Sequence, residues 1–449
     1  MKRLILLGIL SLGVISCSTQ KNTNNMELPS EWKHSTNIYE VNVRQYTEEG
    51  TFRAFEREMP RLKEMGVKTL WFMPITPISQ EVKKGSLGSQ YAAHDYVSIN
   101  PEFGTMDDFK HLVNEAHKMG FKVIIDWVAN HTGWDHVWTK SHPEYYLKDG
   151  DGKFHIASGM EDIIELDYSN PQMRQAMIDA MKFWVKETNI DGFRCDLASW
   201  VEVDFWEEAR PEVEKIKPLF FLGEFDELDN PEYGKVFDAS YVWTWMHKTK
   251  EYNEGKVSFT DLKTLLTKYS NIGDSSMRAW FTSNHDENTW NGTEYEKYGN
   301  LAIPLAVFSV TWNGVPLIYN GQELPMKTKR LEFFEKDPIP WNGTYELQDF
   351  YKTLLNLKTN NPALRGGDSA VSTYLLKTSA DDKVLAYVRK NGKNEVLTVL
   401  NFSKENVAFT IDDENISGTF KNVFSGPVKD FGKDNSFYLP IGGYAVMQK

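Results

Sequence analysis

The sequence is poor in cysteine: Cys17 and Cys195 are the only two among its 449 residues. Two cysteines cannot form a disulfide framework, so an exported form of the chain must depend on its packed core for stability. Cys195 lies in the apolar segment DGFRCDLA, where a buried small side chain is expected. The composition therefore excludes the class of small, disulfide-stapled secreted domains.

Positive charge is also scarce relative to negative charge. The chain has 50 lysine and arginine residues against 63 aspartate and glutamate residues, which gives a formal net charge of −13. Binding to nucleic acid needs a basic surface that neutralises phosphate groups. We therefore expect no nucleic acid among the partners of this protein.

After residue 16 the sequence has no apolar run long enough to span a membrane. Residues 1–16 begin with positive charge and continue with an apolar run too short to span a membrane, a pattern that predicts a signal peptide. The run ends in Val14-Ile15-Ser16-Cys17, which resembles a bacterial lipoprotein processing box and implies cleavage before Cys17 and lipidation of its thiol. Residues 17–30 are polar and predict a flexible tether. An ordinary signal peptide with a chance cysteine is the alternative.

The lipoprotein pattern also implies a location. A lipidated Cys17 would make the protein extracytoplasmic and membrane-anchored. Ser18, and not an acidic residue, follows the cysteine, which resembles the pattern of an outer-membrane destination. Whether the anchored protein faces the periplasm or the outside stays open.

Short β-rich segments alternate with longer helical stretches from residue 37 onward. The strand candidates are 37–46, 67–75, 121–129, 191–198, 218–225, 239–246, 278–286 and 315–323, and clear helical stretches are 53–65, 106–119 and 171–187. Apolar strands separated by amphipathic helices indicate parallel pairing. Eight such units predict an α/β fold with a closed (β/α)₈ TIM barrel, expected over residues 31–364.

Two segments depart from this alternation. Residues 130–168 are irregular and rich in Gly, His, Trp and Asp, and a loop of that length predicts a small inserted subdomain after the third strand. After about residue 365, segments with alternating apolar and polar residues are separated by turn sequences. They predict a C-terminal antiparallel β-sandwich domain over residues 365–449.

Polar side chains occur at the carboxyl ends of several predicted strands. They are Asp126, Asn130 and His131 after the third strand, Arg194 and Asp196 on the fourth, Glu224 on the fifth, and His285 and Asp286 on the seventh. In barrel enzymes this end carries the active site. We therefore expect several carboxylates, one arginine and two histidines to converge there.

Two of these carboxyl groups lie in surroundings suited to opposite protonation states. Arg194 and Asp196 are two residues apart on one strand, so both point to the same face, and the guanidinium favours the ionised form of Asp196. Glu224 lies in the apolar segment FFLGEF, where desolvation raises its pKa. Glycosidic cleavage needs one ionised and one protonated carboxyl group. Asp286 would be a third carboxylate facing the developing positive charge.

Four motifs resemble those of one known family. DWVANHTG (126–133), GFRCDLA (192–198), GEFDE (223–227) and FTSNHDEN (281–288) are similar to the four characteristic regions of glycoside hydrolase family 13, the α-amylase family. QYAAHDYVSINPEFGTMDDF (90–109) and IYNGQE (318–323) also match that family. The motifs occur in the right order over nearly the whole chain, and the ordered set is specific although each motif alone is weak.

The resemblance implies a reaction and its participants. Asp196 would be the nucleophile, Glu224 the general acid/base and Asp286 the transition-state stabiliser. The implied binding residues are Arg194, which would orient Asp196; His131 and His285, which would donate hydrogen bonds to sugar hydroxyls; and Tyr91, which would stack under the sugar. The implied enzyme is a retaining hydrolase of α-1,4-glucans such as starch, glycogen or maltooligosaccharides, expected to act as a monomer.

The resemblance leaves some points open. No cofactor is required for the chemistry, but many relatives hold a structural calcium, for which Asn130 and Glu165 are the candidate ligands here. Ser199 and Trp200 stand where amylases often have Lys-His, so a lysine on the leaving-group side is missing. An α-glucan transferase that uses the same intermediate remains an alternative. A non-catalytic glucan-binding relative is the other, although such proteins lose the carboxylates that are present here.

Overall fold

The computed structural model describes residues 31–273, 276–424, 426 and 428–449. The predicted signal peptide and tether, with Cys17, lie outside the described residues. Within the described part of the chain, no helix combines the length and the apolar character needed to cross a membrane.

Eight parallel strands form a closed barrel. They are β1 (Ile38–Val41), β2 (Thr69–Phe72), β3 (Lys122–Val128), β4 (Gly192–Asp196), β5 (Phe220–Asp226), β6 (Ala239–Tyr241), β7 (Met277–Trp280) and β8 (Val315–Tyr319). Each strand pairs with the next, and β8 pairs with β1 to complete the ring. The register places Arg194 beside Asp126 and Leu222. The predicted TIM barrel is confirmed.

The helices surround the barrel. The longer ones span Met106–Met119, Pro171–Thr188, Val203–Glu214, Trp243–Asn253, Phe259–Asn271, Ala302–Thr311 and Gln348–Asn360, and shorter ones span Trp32–Ser35, Val43–Tyr46, Phe52–Glu56, Met59–Met65, Val137–Ser141 and Glu294–Tyr298. Met106–Met119 shows how the sequence sets such bounds. Thr105 and Asp108 form a capping box at its start, and Gly120, at φ 87°, ends it in the left-handed conformation.

Three predicted segments differ from the structure. The stretch 53–65 is two helices, Phe52–Glu56 and Met59–Met65, because Pro60 has no N–H to continue the hydrogen-bond ladder. The candidates 37–46 and 239–246 each contain a short strand followed by a helix, which begins at Val43 and at Trp243. Continuous apolar runs have no period that distinguishes a buried strand from a buried helix, so these two were predicted as strands throughout.

The inserted subdomain follows β3. A two-residue ribbon pairs His131–Thr132 with Ile164–Glu165 in antiparallel fashion. The helix Val137–Ser141 and two 3₁₀ turns lie between these strands. The ribbon returns the chain to the barrel next to the end of β3, so the subdomain lies beside the mouth of the barrel.

The C-terminal domain is antiparallel, as predicted. Its strands are β9 (Ser372–Leu375), β10 (Val384–Asn391), β11 (Asn394–Asn401), β12 (Val407–Thr410), β13 (Thr419–Asn422), β14 (Val428–Asp430), β15 (Ser436–Leu439) and β16 (Tyr444–Gln448). Six of them form one sheet in the order β9-β10-β11-β16-β13-β14, and β12 pairs with β15. Val399 of the first sheet and Phe409 of the second belong to one apolar core.

Candidate active site

A cavity of about 610 Å³ opens at the carboxyl ends of the barrel strands. Its lining contains six of the residues predicted from the sequence: Tyr91, His131, Asp196, Glu224, His285 and Asp286. The seventh, Arg194, is fully buried directly behind the two strand carboxylates. The structure therefore brings all seven predicted residues together.

Arg194 is the cation at the centre of this cluster. Its Nη1 donates to Asp126 Oδ1 at 2.9 Å and to Asp196 Oδ1 at 2.8 Å. Its Nη2 lies 2.7 Å from Glu224 Oε2, without hydrogen-bond geometry. The guanidinium carbon lies 5.0 Å from the centre of the Trp71 ring. One guanidinium thus faces three carboxyl groups, which leaves the cluster short of positive charge.

Burial dominates the pKa values of the two carboxyl groups on β4 and β5. It raises the pKa of Glu224 to about 7 and that of Asp196 to about 6, with Arg194 opposing both shifts and Asp286 adding to them. The raised pKa of Glu224 agrees with the sequence analysis. For Asp196, desolvation outweighs the guanidinium, which the sequence analysis did not anticipate. As the pH rises, Glu224 therefore loses its proton after Asp196.

The chain makes a strained turn directly after Asp196. Leu197 has φ 41° and ψ 45°, in the left-handed region that non-glycine residues rarely adopt. In this conformation the Leu197 N–H donates to Glu224 Oε2 at 2.9 Å. The turn continues into a 3₁₀ helix, Ala198–Trp200, which places Trp200 in the cavity wall with 43% of its surface exposed. Strand β4 therefore holds Asp196 and also fixes the orientation of Glu224.

His285 and Asp286 lie farther from their strand than the sequence predicted, because β7 ends at Trp280. Glu40 of β1, which the sequence analysis missed, accepts from His285 Nδ1 at 2.5 Å. Asp286 Oδ2 lies 3.4 Å from Nε2 of the same ring. Although burial opposes it, the carboxylates of Asp286 and Glu40 raise the pKa of His285 to about 9. His285 therefore carries a charge at neutral pH.

An acidic residue inside the apolar strand IYEV was the signal that could have identified Glu40. Its side chain is fully buried. A buried carboxylate needs a partner, since desolvation of an unpaired charge is costly. That partner lies 245 positions away in the sequence, so the sequence alone could not name it.

His131 differs from His285 in its charge. Burial lowers its pKa to about 4, so the ring is neutral at neutral pH. The Asn130 side-chain amide donates to His131 Nδ1 at 3.3 Å, which leaves the proton on Nε2. Among the described residues, Nε2 has no hydrogen-bond partner, and the ring lines the cavity. His131 thus brings a neutral ring to the cavity wall, with its Nε2 atom buried and near the Tyr91 backbone.

Tyr91 packs on the polar cluster. Its hydroxyl donates to Asp126 Oδ2 at 3.0 Å, and the Trp71 indole N–H donates to the same oxygen at 3.2 Å. Its ring stacks on His285, with 5.2 Å between ring centres and 13° between planes. Asp126 therefore fixes Tyr91 and Arg194 and does not itself face the cavity.

The two calcium candidates are engaged by histidines. Glu165 Oε2 accepts from His155 at 2.7 Å, and Asn130 donates its side-chain amide to His131. Calcium needs six to eight oxygen ligands. In the described part of the chain no group of three or more His, Cys, Asp or Glu residues could hold a metal ion. Amide and backbone carbonyl oxygens are also calcium ligands, so calcium at Asn130 and Glu165 stays a prediction.

Comparison with known proteins agrees with the fold. The family model described as "Alpha amylase, catalytic domain" matches residues 21–153 and 144–370, and "Maltogenic Amylase, C-terminal domain" matches 375–445. The chain is 24% identical to Alpha-amylase 2 of Dictyoglomus thermophilum over 446 residues, covering 90% of this chain and 75% of the relative.

Two further proteins extend this comparison. The chain is 27% identical to the maltogenic alpha-amylase of Bacillus acidopullulyticus, covering 81% of this chain and 64% of that protein. The crystal structure of a noncanonic maltogenic alpha-amylase from Thermotoga neapolitana superimposes with a TM-score of 0.83 at 30% identity. That superposition covers 93% of this chain and 99% of the other.

Proposed function

The chain belongs to the α-amylase family of glycoside hydrolases, and from this premise we propose that it cleaves α-1,4-glucosidic bonds of starch, glycogen or maltooligosaccharides with retention of configuration. The observation that carries the proposal is the convergence of Asp196, Glu224 and Asp286 on one cavity around a single buried guanidinium. Two carboxyl groups with different pKa values are what glycosidic cleavage requires.

In the first step, ionised Asp196 attacks the anomeric carbon while protonated Glu224 donates its proton to the departing oxygen. The bond between the anomeric carbon and that oxygen breaks as the bond to Asp196 forms. In the second step, Glu224, now ionised, removes a proton from water. The resulting hydroxide attacks the anomeric carbon and releases Asp196.

The remaining residues hold the sugar and stabilise charge. Asp286 and the charged His285 form an acceptor and a donor for neighbouring ring hydroxyls. His131 lies in the cavity wall and donates from Nε2 to a sugar hydroxyl. Tyr91, fixed by Asp126, offers an aromatic face to the sugar. Arg194 acts through the carboxylates, since it keeps Asp196 in place and favours its ionised form as the substrate displaces water.

Proton NMR of early products tests the stereochemistry. Maltoheptaose is digested and the anomeric region is recorded before mutarotation proceeds. We expect the α-anomer to form first, because two inversions at one carbon restore the configuration. A β-anomeric product would contradict the covalent intermediate. Products longer than the substrate at high oligosaccharide concentration would instead identify a transferase with the same intermediate.

We also propose that Cys17 carries a lipid anchor that holds the enzyme at the outer membrane. The basis is the sequence pattern around Cys17 and the polar stretch that follows it. Cys17→Ser should move the protein from the membrane fraction to the soluble fraction without changing its rate on starch, because the tether is polar and stable anchoring needs several acyl chains. A wild-type protein that fractionates as soluble would contradict this proposal.

A further inference from the structure

The most exposed tryptophan of the described residues lies in the wall of the active-site cavity. Trp290 leaves 54% of its surface exposed and lines the cavity with Phe333, Phe334 and the three carboxyl groups of the proposed reaction. An exposed indole keeps a large apolar surface in contact with water, which is unfavourable until a ligand covers it. No step of the proposed reaction uses this ring.

Trp290 belongs to an unbroken row of aromatic rings that starts at the polar cluster. The Tyr91 ring, which stacks on His285, has its centre 6.0 Å from that of Phe333, with 21° between the planes. The Trp290 ring centre lies 5.6 Å from that of Phe333 and 6.0 Å from that of Phe334. The exposed indole is therefore two ring contacts away from Tyr91. We call Trp290, Phe333 and Phe334 the aromatic platform.

The backbone that carries Trp290 is a π-helical turn of residues 287–291, which begins directly after Asp286. Such turns are rare and frequently occur at functional sites. A buried ion pair holds the turn in place. Lys297 Nζ lies 2.8 Å from Glu287 Oε2, and the two side chains are 0% and 4% exposed. The turn is thus fixed on its buried side, while Trp290 reaches the cavity.

Two hydrogen bonds join this turn to the loop after β8, which carries Phe333 and Phe334. The Leu331 N–H donates to Asn288 Oδ1 at 2.8 Å, and the Thr289 hydroxyl donates to the Leu331 carbonyl at 2.7 Å. The rings of the aromatic platform therefore belong to two segments that are bonded to each other. Side chains on a rigid support lose little conformational entropy when a ligand binds, and this favours affinity.

We propose that the aromatic platform is a sugar-binding site, in which Trp290 stacks against a glucose unit of the bound glucan beyond the unit that Tyr91 contacts. This inference rests on the proposed function, which supplies the ligand, an α-1,4-glucan. The C–H groups on one face of a glucose ring form an apolar surface that matches a flat indole. The platform and the carboxyl groups line one cavity, so a glucan of several units that is cleaved there comes into contact with the platform.

Calorimetric titration with maltoheptaose tests the site without cleavage. Asp196→Asn serves as the background, because the proposed nucleophile is then absent. Adding Trp290→Ala should raise the Kd about tenfold, since tryptophan side chains often dominate the affinity of a contact surface. An unchanged Kd would overturn the proposal. Tyr438→Ala is the matched control and should leave the Kd unchanged, because that ring is 64% exposed but does not line the cavity.

Two further substitutions test whether a flat ring is required. In the same background, Trp290→Tyr should keep the Kd within about threefold of the unsubstituted value, because the phenol ring still offers a face to the sugar. Trp290→Leu keeps an apolar side chain but has no ring face, and it should bind as weakly as Trp290→Ala. A leucine variant with the unsubstituted Kd would overturn the stacking contact.

Kinetics separate a sugar contact from a merely structural role. Trp290 lies four residues after Asp286, so a structural role of the ring would act through that carboxylate and lower kcat. In the otherwise wild-type enzyme, Trp290→Ala should instead raise KM for maltoheptaose about tenfold and leave kcat within about twofold, as expected when ground-state and transition-state binding weaken equally. A fall in kcat with an unchanged Kd would overturn the proposal and make Trp290 a positioning residue for Asp286.

The same experiments keep this inference apart from the proposed function. A folded wild-type enzyme that binds maltoheptaose without cleaving it contradicts the hydrolysis, and the aromatic platform stands if Trp290→Ala weakens that binding. Cleavage by the wild type, with an unchanged Kd after Trp290→Ala, leaves the hydrolysis intact and overturns the platform. Sedimentation of the unliganded proteins tests a second copy of the chain as the occupant of the exposed ring. A dimer that Trp290→Ala dissociates would also overturn the proposal.

Discussion

The two ends of strand β4 carry acidic residues in opposite electrostatic settings. Asp191, directly before the strand, accepts from His117 at 2.7 Å and lies 3.2 Å from Lys217 and 3.4 Å from Lys122. Although burial opposes it, the hydrogen bond with His117 and the charges of Lys217 and Lys122 lower the pKa of Asp191 to about 2. Asp196, at the other end, has one guanidinium shared with other acids, and burial raises its pKa to about 6.

The difference separates a structural carboxylate, Asp191, from the nucleophile of the proposed reaction, Asp196. Cationic groups outnumber the carboxylate around Asp191, so its charge is stabilised and is held in one state at all working pH values. Carboxylates outnumber cations around Asp196, so its negative charge is only weakly stabilised. The carboxylate is therefore available to form a bond to a substrate. A pKa raised in a cavity, with several acids in contact, is the physical signature of a catalytic site.

The largest expected effect is on turnover. Asp196→Asn and Glu224→Gln should each lower kcat by about 10²–10⁴-fold or more, because no neighbouring group can replace the nucleophile or the acid. Asp191→Asn, the matched change at the other end of β4, should leave the kcat of the folded enzyme within about twofold of wild type, because Asp191 is buried away from the cavity and does not line it. Initial rates on soluble starch check all three.

The control for this comparison is the folded fraction of each variant, measured by circular dichroism. Near-full activity in either active-site amide variant would remove that residue from the proposed mechanism. A loss in folded Asp191→Asn as large as in Asp196→Asn would mean that the two ends of the strand are not functionally distinct.

The pH dependence of kcat/KM should reflect the raised pKa values of Asp196 and Glu224. The proposed reaction needs Asp196 ionised and Glu224 protonated, and their pKa values of about 6 and about 7 set the two limbs. We expect a narrow bell with its maximum between these values. On a substrate with an activated leaving group, Glu224→Gln should abolish the alkaline limb, because no proton is then required. An alkaline limb that survives this change would assign it to another group.

A smaller effect is expected from Glu40, which acts through His285. Glu40→Gln removes the carboxylate that His285 Nδ1 contacts, so the pKa of His285 should fall and kcat/KM should drop by about tenfold. The pKa of the ring, followed by NMR, distinguishes this positioning role from general destabilisation. A His285 pKa that stays near 9 in the variant would contradict it.

The sequence predicts the fold and the residues of the cavity wall that lie in recognisable motifs, because both depend on local patterns. Helix 106–119 was predicted at its observed bounds, since Thr105 and Gly120 mark its ends chemically. Strand ends were predicted less well. His285 and Asp286 lie five and six residues beyond the end of β7 at Trp280, because an apolar run does not show where pairing stops.

What could not be predicted depends on contacts between distant segments. The Glu40–His285 pair, the Lys84–Asp162 pair and the cluster around Asp191 join residues from separate loops and strands. Their residue types are visible in the sequence, but their partners are set by the closure of the barrel. The raised pKa of Asp196 belongs to the same class, because the depth of its burial is a property of the fold.

The effects on stability should have the reverse order to the effects on kcat: the change at Asp191 should cost more than the change at Asp196. Asp191→Asn should cost about 2 kcal/mol at pH 7, the value that corresponds to a pKa lowered from 3.8 to about 2. Because the folded pKa is depressed, this contribution is present above about pH 4 and is lost as the pH falls towards 2. Urea unfolding at pH 7 and pH 3 measures it. A cost that stays constant over this range would exclude the charge as its cause.

The smallest expected effect is a gain in stability when Asp196 is made neutral. The folded pKa of Asp196 is raised, so its ionisation opposes folding above about pH 6, and this penalty vanishes as the pH falls towards 4. Asp196→Asn removes the penalty but also weakens the contact with Arg194, which then faces fewer charges. The two changes offset each other, and we expect a net gain of about 1 kcal/mol or less at pH 7. Thermal unfolding at pH 7 and pH 4.5 checks this, with Glu64→Gln as an exposed control. A variant less stable than wild type at pH 7 would show that the Arg194 contact, and not the cost of the buried charge, dominates at this end of the strand.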